Sequence, residues 1–137
     1  MWEIGGSAAG ALLARDVSLD GSTAWLARCD RIDFPPGGVA YRHTHPGPGI
    51  RYLLSGGIEI QTEGHSRVYA PGEAWFESGP DPVYAAAAED VESAFVRVLL
   101  LPVEWEGKRT IRYADPADGD KPKLQRPTVF FDRRLGS

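Results

Sequence analysis

The residues best placed to do chemistry are His43 and His45, in the run Tyr41-Arg42-His43-Thr44-His45-Pro46-Gly47-Pro48-Gly49. They are two of the chain's three histidines, with one residue between them. On a β-strand successive side chains alternate faces, so these imidazoles point the same way. Two imidazoles one strand repeat apart can share a divalent ion such as Fe, Mn, Ni, Zn or Cu. The alternative is a pair of enclosed histidines hydrogen-bonded to other polar groups. Two imidazoles alone hold an ion loosely, and further protein ligands decide its occupancy. No carboxylate follows along the same strand, where Gly49 and Arg51 come next.

Other chemistries are disfavoured. Cys29 is the only cysteine, so no internal disulfide forms and a reducing compartment is compatible. It sits in the strand-like run 25–34, where a small buried thiol is expected rather than a nucleophile. The chain has no phosphate-binding glycine loop, no Gly-x-Ser-x-Gly elbow and no cysteine pair at zinc spacing. A net charge of −4 argues against nucleic acid as a partner. The apolar runs fall far short of the roughly 20 residues that span a membrane. Residues 1–14 are rich in Ala and Gly and lack the cationic region of a secretory leader, so a cytoplasmic protein is expected.

The elements that must position the histidines are short strands. A chain of 137 residues is one domain with a core of its own. Residues 11–17 and 23–32 read as strands separated by Asp20-Gly21. Pro35-Pro36-Gly37-Gly38 is a hard break, 39–45 a strand, 46–49 a turn and 50–54 a strand closed by Ser55-Gly56-Gly57. Ile58-Glu59-Ile60-Gln61-Thr62 alternates apolar and polar, as a half-buried strand does. Glu63-Gly64 turns the chain into 66–69, and Pro71-Gly72 turns it again into 74–77. Residues 78–82 form a loop, 83–87 a strand or a turn of helix, and 93–101 the most strand-like stretch. The charged stretch 115–123 carries two prolines and reads as an exposed arm, while the apolar residues 128–131 are expected to dock on the barrel or on a second subunit. Short strands with turn signals at about eight- to twelve-residue spacing predict an all-β sandwich or barrel.

This pattern resembles a small single-domain cupin. In that family a Gly leads into His-x-His, followed by a Glu and a closing Gly; here Gly37 and Gly38 lead into His43-Thr44-His45, and Gly56 closes the motif. Gly49 fills the place of the Glu. The second motif maps onto Gly64, Pro71-Gly72-Glu73 and the loop from Glu77 to Tyr84, with its histidine replaced by Val83 or Tyr84. His65 falls in a hairpin turn remote from that position. The resemblance implies an all-β cupin-type barrel or jelly roll in a single domain. Residues 1–36 would supply N-terminal strands, 37–101 the core barrel and 102–137 a C-terminal arm docked on the barrel or on a partner. It also implies a homodimer.

Glu77, ending a short strand beside the second-motif loop, is the candidate replacement ligand, and two His with one carboxylate would leave open positions for substrate. It could instead pair with an arginine or act as a base. If the register follows the family, Arg51 faces the lumen, where a guanidinium needs an anionic partner: Glu77 or a bound carboxylate. Arg97, mid-strand in Phe95-Val96-Arg97-Val98-Leu99, faces the lumen, an interface or solvent. Trp75 and Tyr84 are expected to line the barrel, with Tyr84 a ligand, a general acid or a wall. Tyr41 shares the face of His43 and His45 by alternation, and Asp81 reads as a loop residue. The expected function is an enzyme acting on a small anionic molecule through a divalent metal, with oxygenase, isomerase, lyase and cyclase chemistry all open. The alternative is a metal-free module that holds an anionic ligand through Arg51.

Overall fold

The computed structural model describes residues 11–136. Most of the leader reading, at 1–10, lies outside the described residues. Ten strands form two five-stranded sheets. These are β1 (Trp25–Phe34), β2 (Val39–Thr44), β3 (Gly49–Ser55), β4 (Ile58–Thr62), β5 (His65–Tyr69), β6 (Ala74–Glu77), β7 (Val83–Ala87), β8 (Ser93–Pro102), β9 (Arg112–Tyr113) and β10 (Arg126–Arg134). One sheet has the order β10-β1-β8-β3-β6 and the other β5-β4-β7-β2-β9. Among the described residues there is no α-helix. The two sheets pack face to face around one interior, as the expected all-β barrel or jelly roll does.

The local chemistry explains the strands. In β4 Ile58 and Ile60 point inward and the polar residues outward. The β4–β5 hairpin turns through Glu63 at φ 51° and Gly64 at φ 77°, the doubly left-handed backbone that a two-residue hairpin needs. The run around Ala85 to Ala88 is strand rather than helix through Ala87, because β7 is hydrogen-bonded between β2 and β4. Gly49 opens β3 rather than closing a turn. Residues 11–17 form no strand: β10 fills the edge of β1 and leaves them exposed and unpaired with any strand.

The flanks are part of the sheet. β1 and β10 lie in the same sheet as β3, β6 and β8, so 37–101 is not a closed unit without them. The apolar segment 128–131 docks through the backbone of β10, which pairs along β1, yet Val129, Phe130 and Phe131 stay about half exposed. The arm 115–123 carries a 3-10 turn at Pro116–Asp120, and Asp118 within it is buried. Cys29 is half-buried, and burial pushes its thiol up, away from reactivity.

Inward residues form layers along the barrel. On β1 and β8 the facing pairs run Leu26 with Leu101, Arg28 with Leu99, Asp30 with Arg97 and Ile32 with Phe95. An apolar cluster holding Ile32, Phe34, Leu53, Trp75 and Phe95 closes one end, and a smaller cluster of Leu26, Leu99 and Leu101 closes the other. Between them lies a layer of buried charge.

Candidate metal centre

His43 and His45 both point into the barrel and are buried, their rings edge to face with centroids 4.9 Å apart. The pairing of β2 with β7 slips between Ala40 and His43. Such a bulge breaks the alternation, so Ala40 and His43 both face inward with two residues between them. Tyr41 is therefore turned out of the cavity lining, contrary to the alternation argument, and its ring packs under Lys121, with Nζ 4.5 Å from the ring centre.

Each imidazole is held through one nitrogen. His43 Nδ1 lies 2.6 Å from the Tyr41 carbonyl oxygen, which can only accept, so Nδ1 carries the proton and Nε2 is left with its lone pair. His45 Nδ1 lies 3.0 Å from the Thr110 hydroxyl. His45 Nε2 is buried and has no hydrogen-bond partner. A buried nitrogen without a partner is rare in a well-packed protein and calls for an occupant.

Glu77 supplies the third group. It ends β6 directly opposite Gly49 in the antiparallel register. Its carboxylate and the two imidazoles each offer a ligand atom, all within 4.8 Å of one another. The carboxylate is held from two sides: Arg51 Nη2 lies 3.0 Å from one oxygen, and Trp75 Nε1 donates to the other at 2.9 Å. The pairing with arginine and the proximity to the histidines are thus both present, and each carboxylate oxygen keeps a further lone pair.

Arg51 is 1% exposed, and its Nη1 donates to the Gly49 carbonyl at 3.0 Å. Burial pulls the guanidinium down to about 10 against the opposing pull of Glu77, so it stays charged at neutral pH. A Cβ on residue 49 would sit 2.6 Å from the Val98 carbonyl, 2.6 Å from Leu99 Cδ2 and 3.0 Å from Arg51 Nη1. Packing of this kind excludes any side chain at Gly49. Arg51 fills the space, and the carboxylate comes from the neighbouring strand.

Two more arginines complete the layer. Arg97 binds Asp30 through Nε at 2.8 Å and Nη2 at 3.0 Å, the two-pronged geometry that makes guanidinium–carboxylate pairs strong. Arg28 binds Asp132 of β10 in the same way and also donates to the carbonyls of Lys108 and Trp105. That clasp fixes the segment that carries Thr110 over the mouth. Buried Arg28 and Arg51 and half-buried Arg97 thus each meet one carboxylate, while Lys108, Arg109 and Lys123 add positive charge to the lining.

These groups line a cavity of about 310 Å³, near the lower bound for small-molecule sites. Arg97 lines it; Trp75 and Tyr84 do not. Trp75 stands behind Glu77 in the core, stacked on Tyr69. On β7 Val83 and Ala85 face inward, so the pleat turns Tyr84 away and the second-motif position falls on Val83. His65 is exposed on β5, and Asp81 accepts from the Ser78 hydroxyl within its loop.

The sequence reading missed Arg28, Asp30, Asp132 and Thr110. Arg28 and Asp30 had a signal: they share a period of two with Ile32 and Phe34 on β1. Thr110 had none, since it reaches His45 from a loop 65 residues away.

Burial lowers the His43 imidazole below its ordinary range, with the Tyr41 carbonyl opposing. His45 is pushed well below, first by burial and then by Arg97, Arg51 and His43. Both are neutral bases at pH 7, the form a metal requires. In chelator-treated protein the unfolded chain binds these protons first as the pH falls below the ordinary value of 6.5. The two histidines therefore add nothing above that pH, and stability declines below it. The melting temperature of His45→Gln is expected to fall less steeply than that of the parent between about pH 6.5 and 5. Equal slopes would contradict the burial described for His45.

Residues 30–95 match the family model described as "Cupin domain". They form a cupin domain. The polyketide cyclase RemF from Streptomyces resistomycificus is 19% identical, with TM-score 0.52, over 70% of this chain and 64% of that one. The DMSP lyase DddQ from Ruegeria pomeroyi DSS-3 is 22% identical, with TM-score 0.54, over 69% of this chain and 45% of that one. An oxalate oxidase solved with the substrate analogue glycolate is 21% identical, with TM-score 0.50, over 58% and 47%. The chain thus spans about half to two thirds of the length of these structures, and the likeness is one of fold. No curated protein sequence gives a significant match. No helix among the described residues is long and apolar enough to cross a membrane.

Proposed function

We propose that this cupin is a metal-dependent enzyme acting on a small anionic organic molecule, with His43, His45 and Glu77 holding a divalent ion. The observation that carries the reading is the His45 Nε2 atom, buried and without a partner, on a residue that offers a ligand atom within 4.8 Å of those of His43 and Glu77. Two neutral imidazoles and one carboxylate fit Fe, Mn, Ni, Zn or Cu and leave coordination positions open. A bound ion would supply Lewis acidity to a substrate oxygen. Glu77 is committed to Arg51 and Trp75, which suits a fixed ligand better than a mobile base. Arg51 and Arg97 both line the cavity, but Arg51 is wholly buried on Glu77, and the role of orienting the substrate passes to Arg97, whose Nη1 makes no hydrogen bond among the described residues. A divalent ion added to a lining that already holds Lys108, Arg109 and Lys123 beside its three arginine–carboxylate pairs favours an anionic ligand. The names of the similar structures include an oxidase, a cyclase and a lyase, and fold alone does not choose a reaction.

The test is elemental analysis of untagged protein, parent and His43→Ala. About one ion per chain is expected in the parent and essentially none in the variant. Folded parent protein that neither carries nor takes up an ion would overturn the reading. A homodimer belongs to the proposal, with β10 and its exposed Val129, Phe130 and Phe131 as the face a second copy would cover; sedimentation velocity on the same sample gives the mass.

A further inference from the structure

The cavity is divided along the strands. On β1 the lining residues run Arg28, Asp30, Ile32, Phe34, and on β8 Phe95 faces Ile32 where Arg97 faces Asp30. On the opposite sheet His43 faces Val83 while Ala40 faces Ala85, which in turn faces Ile60. All charged and imidazole groups therefore stand in the half towards the mouth. The deep half is walled by Ile32, Phe34, Ile60, Val83, Ala85 and Phe95, a continuous apolar surface, with Gln125, whose Oε1 is buried without a partner, as a polar group at the register of Phe34. That end is closed by the main apolar cluster, which includes Leu53, Ile58 and Trp75.

Of the three strand-borne arginines of the polar half, Arg97 keeps a whole free NH2 group; Lys108 and Arg109 also line the cavity, and Arg51 Nε is buried without a partner. Arg28 spends its guanidinium on Asp132 and two carbonyls, and Arg51 is wholly buried on Glu77 and Gly49. Arg97 uses only Nε and Nη2, both on Asp30, and its Nη1 makes no hydrogen bond among the described residues. The two N–H bonds of Arg97 Nη1 thus remain for an anionic oxygen beside the histidines.

We propose that the ligand is a carboxylic acid with an apolar body, seated with its carboxylate on Arg97 Nη1 and its hydrocarbon part against the deep wall. This rests on the proposed ligand-binding role of the lumen but not on the metal. A hydroxylated acid would bury its hydroxyls against carbon, at a cost of about 1–3 kcal/mol for each unpaired group. Oxalate has no apolar part and would leave the deep half unfilled. The volume of about 310 Å³ is that of a small-molecule site and suits an acid of roughly ten non-hydrogen atoms.

Calorimetric titration with 3-phenylpropanoate, gluconate and oxalate tests this, on metal-loaded and on chelator-treated protein. 3-Phenylpropanoate is expected to bind at least about tenfold more tightly than either of the others in both forms. Binding of 3-phenylpropanoate is expected to weaken at least about tenfold in Asp30→Asn/Arg97→Gln, in which one amide–amide hydrogen bond can replace the two-pronged ion pair and both charges are removed together. The parent's circular dichroism spectrum, retained by the variant, shows that the loss is not unfolding. Gluconate or oxalate binding as tightly as 3-phenylpropanoate would overturn the apolar-body assignment. Undiminished binding of 3-phenylpropanoate to the folded double variant would overturn the Arg97 seat. A protein that takes up no ion yet keeps the expected ranking would remove the metal reading and leave this one standing.

Discussion

Arg51→Met is expected to lower the unfolding free energy of chelator-treated protein by roughly 3–5 kcal/mol, the usual result of removing one partner of a buried ion pair. Glu77 would keep only the Trp75 donor and would have to carry its charge in a buried site or take up a proton. Methionine is the appropriate replacement because it fills most of the volume of the arginine stem. The double variant Arg51→Met/Glu77→Leu is expected to recover most of the loss, since a buried pair replaced as a whole by apolar groups is often neutral. Urea denaturation of the three proteins gives the numbers. A single variant that loses less than about 1 kcal/mol would show that the pair is more hydrated than its burial indicates. Metal binding enters the same cycle: an ion on His43, His45 and Glu77 would return a positive partner to the carboxylate. Metal is therefore expected to stabilise Arg51→Met more than the parent and the double variant less than either.

Gly47→Ala is the second large effect. A Cβ there would lie 1.8 Å from the Leu100 carbonyl oxygen and 3.0 Å from its carbon. Neither atom can rotate away, so β8 or the loop must move. On the other side Gly79, at φ 107°, would bring its own Cβ to 2.5 Å from the Gly47 oxygen. The His45 backbone N–H donates to the Gly79 carbonyl at 2.8 Å, so displacement of this loop carries His45 with it. The expected cost is about 3 kcal/mol, the upper part of the usual range for overpacking, together with loss of bound metal. Gly21→Ala, where nothing lies within 4 Å, is the control and is expected to leave both unchanged. A Gly47→Ala protein with the parent's stability and metal content would show that the loop is free to shift.

The fold was legible because strand, turn and alternation each leave a local mark. The strand at 58–62 was read from its alternation to the residue, and the turn at Glu63-Gly64 from its types. The histidine pair was legible for the same reason, since spacing along one strand is written in the chain. The bulge in β2 was not legible, because it depends on how β7 lies alongside, and Tyr41 was misplaced by it. Residues 11–17 have the composition of a strand but pair with none, and composition does not record pairing. The Arg28–Asp132 clasp and the contact from Thr110 to His45 depend on chain closure over long separations, which no local pattern records.

The rung that joins Gly49 to Glu77 bears on how such sites are counted. Read along one strand, the motif holds two ligands and a gap. Read across the sheet, the gap is one interstrand step, about 4.8 Å, from a carboxylate. Neighbouring strands can exchange a functional group in this way at little positional cost, provided that the vacated residue surrenders its side chain and a counterion takes the space. In a sheet, the natural address of a ligand is the rung on which it stands, so an inventory made along a single segment undercounts the groups that converge on one point.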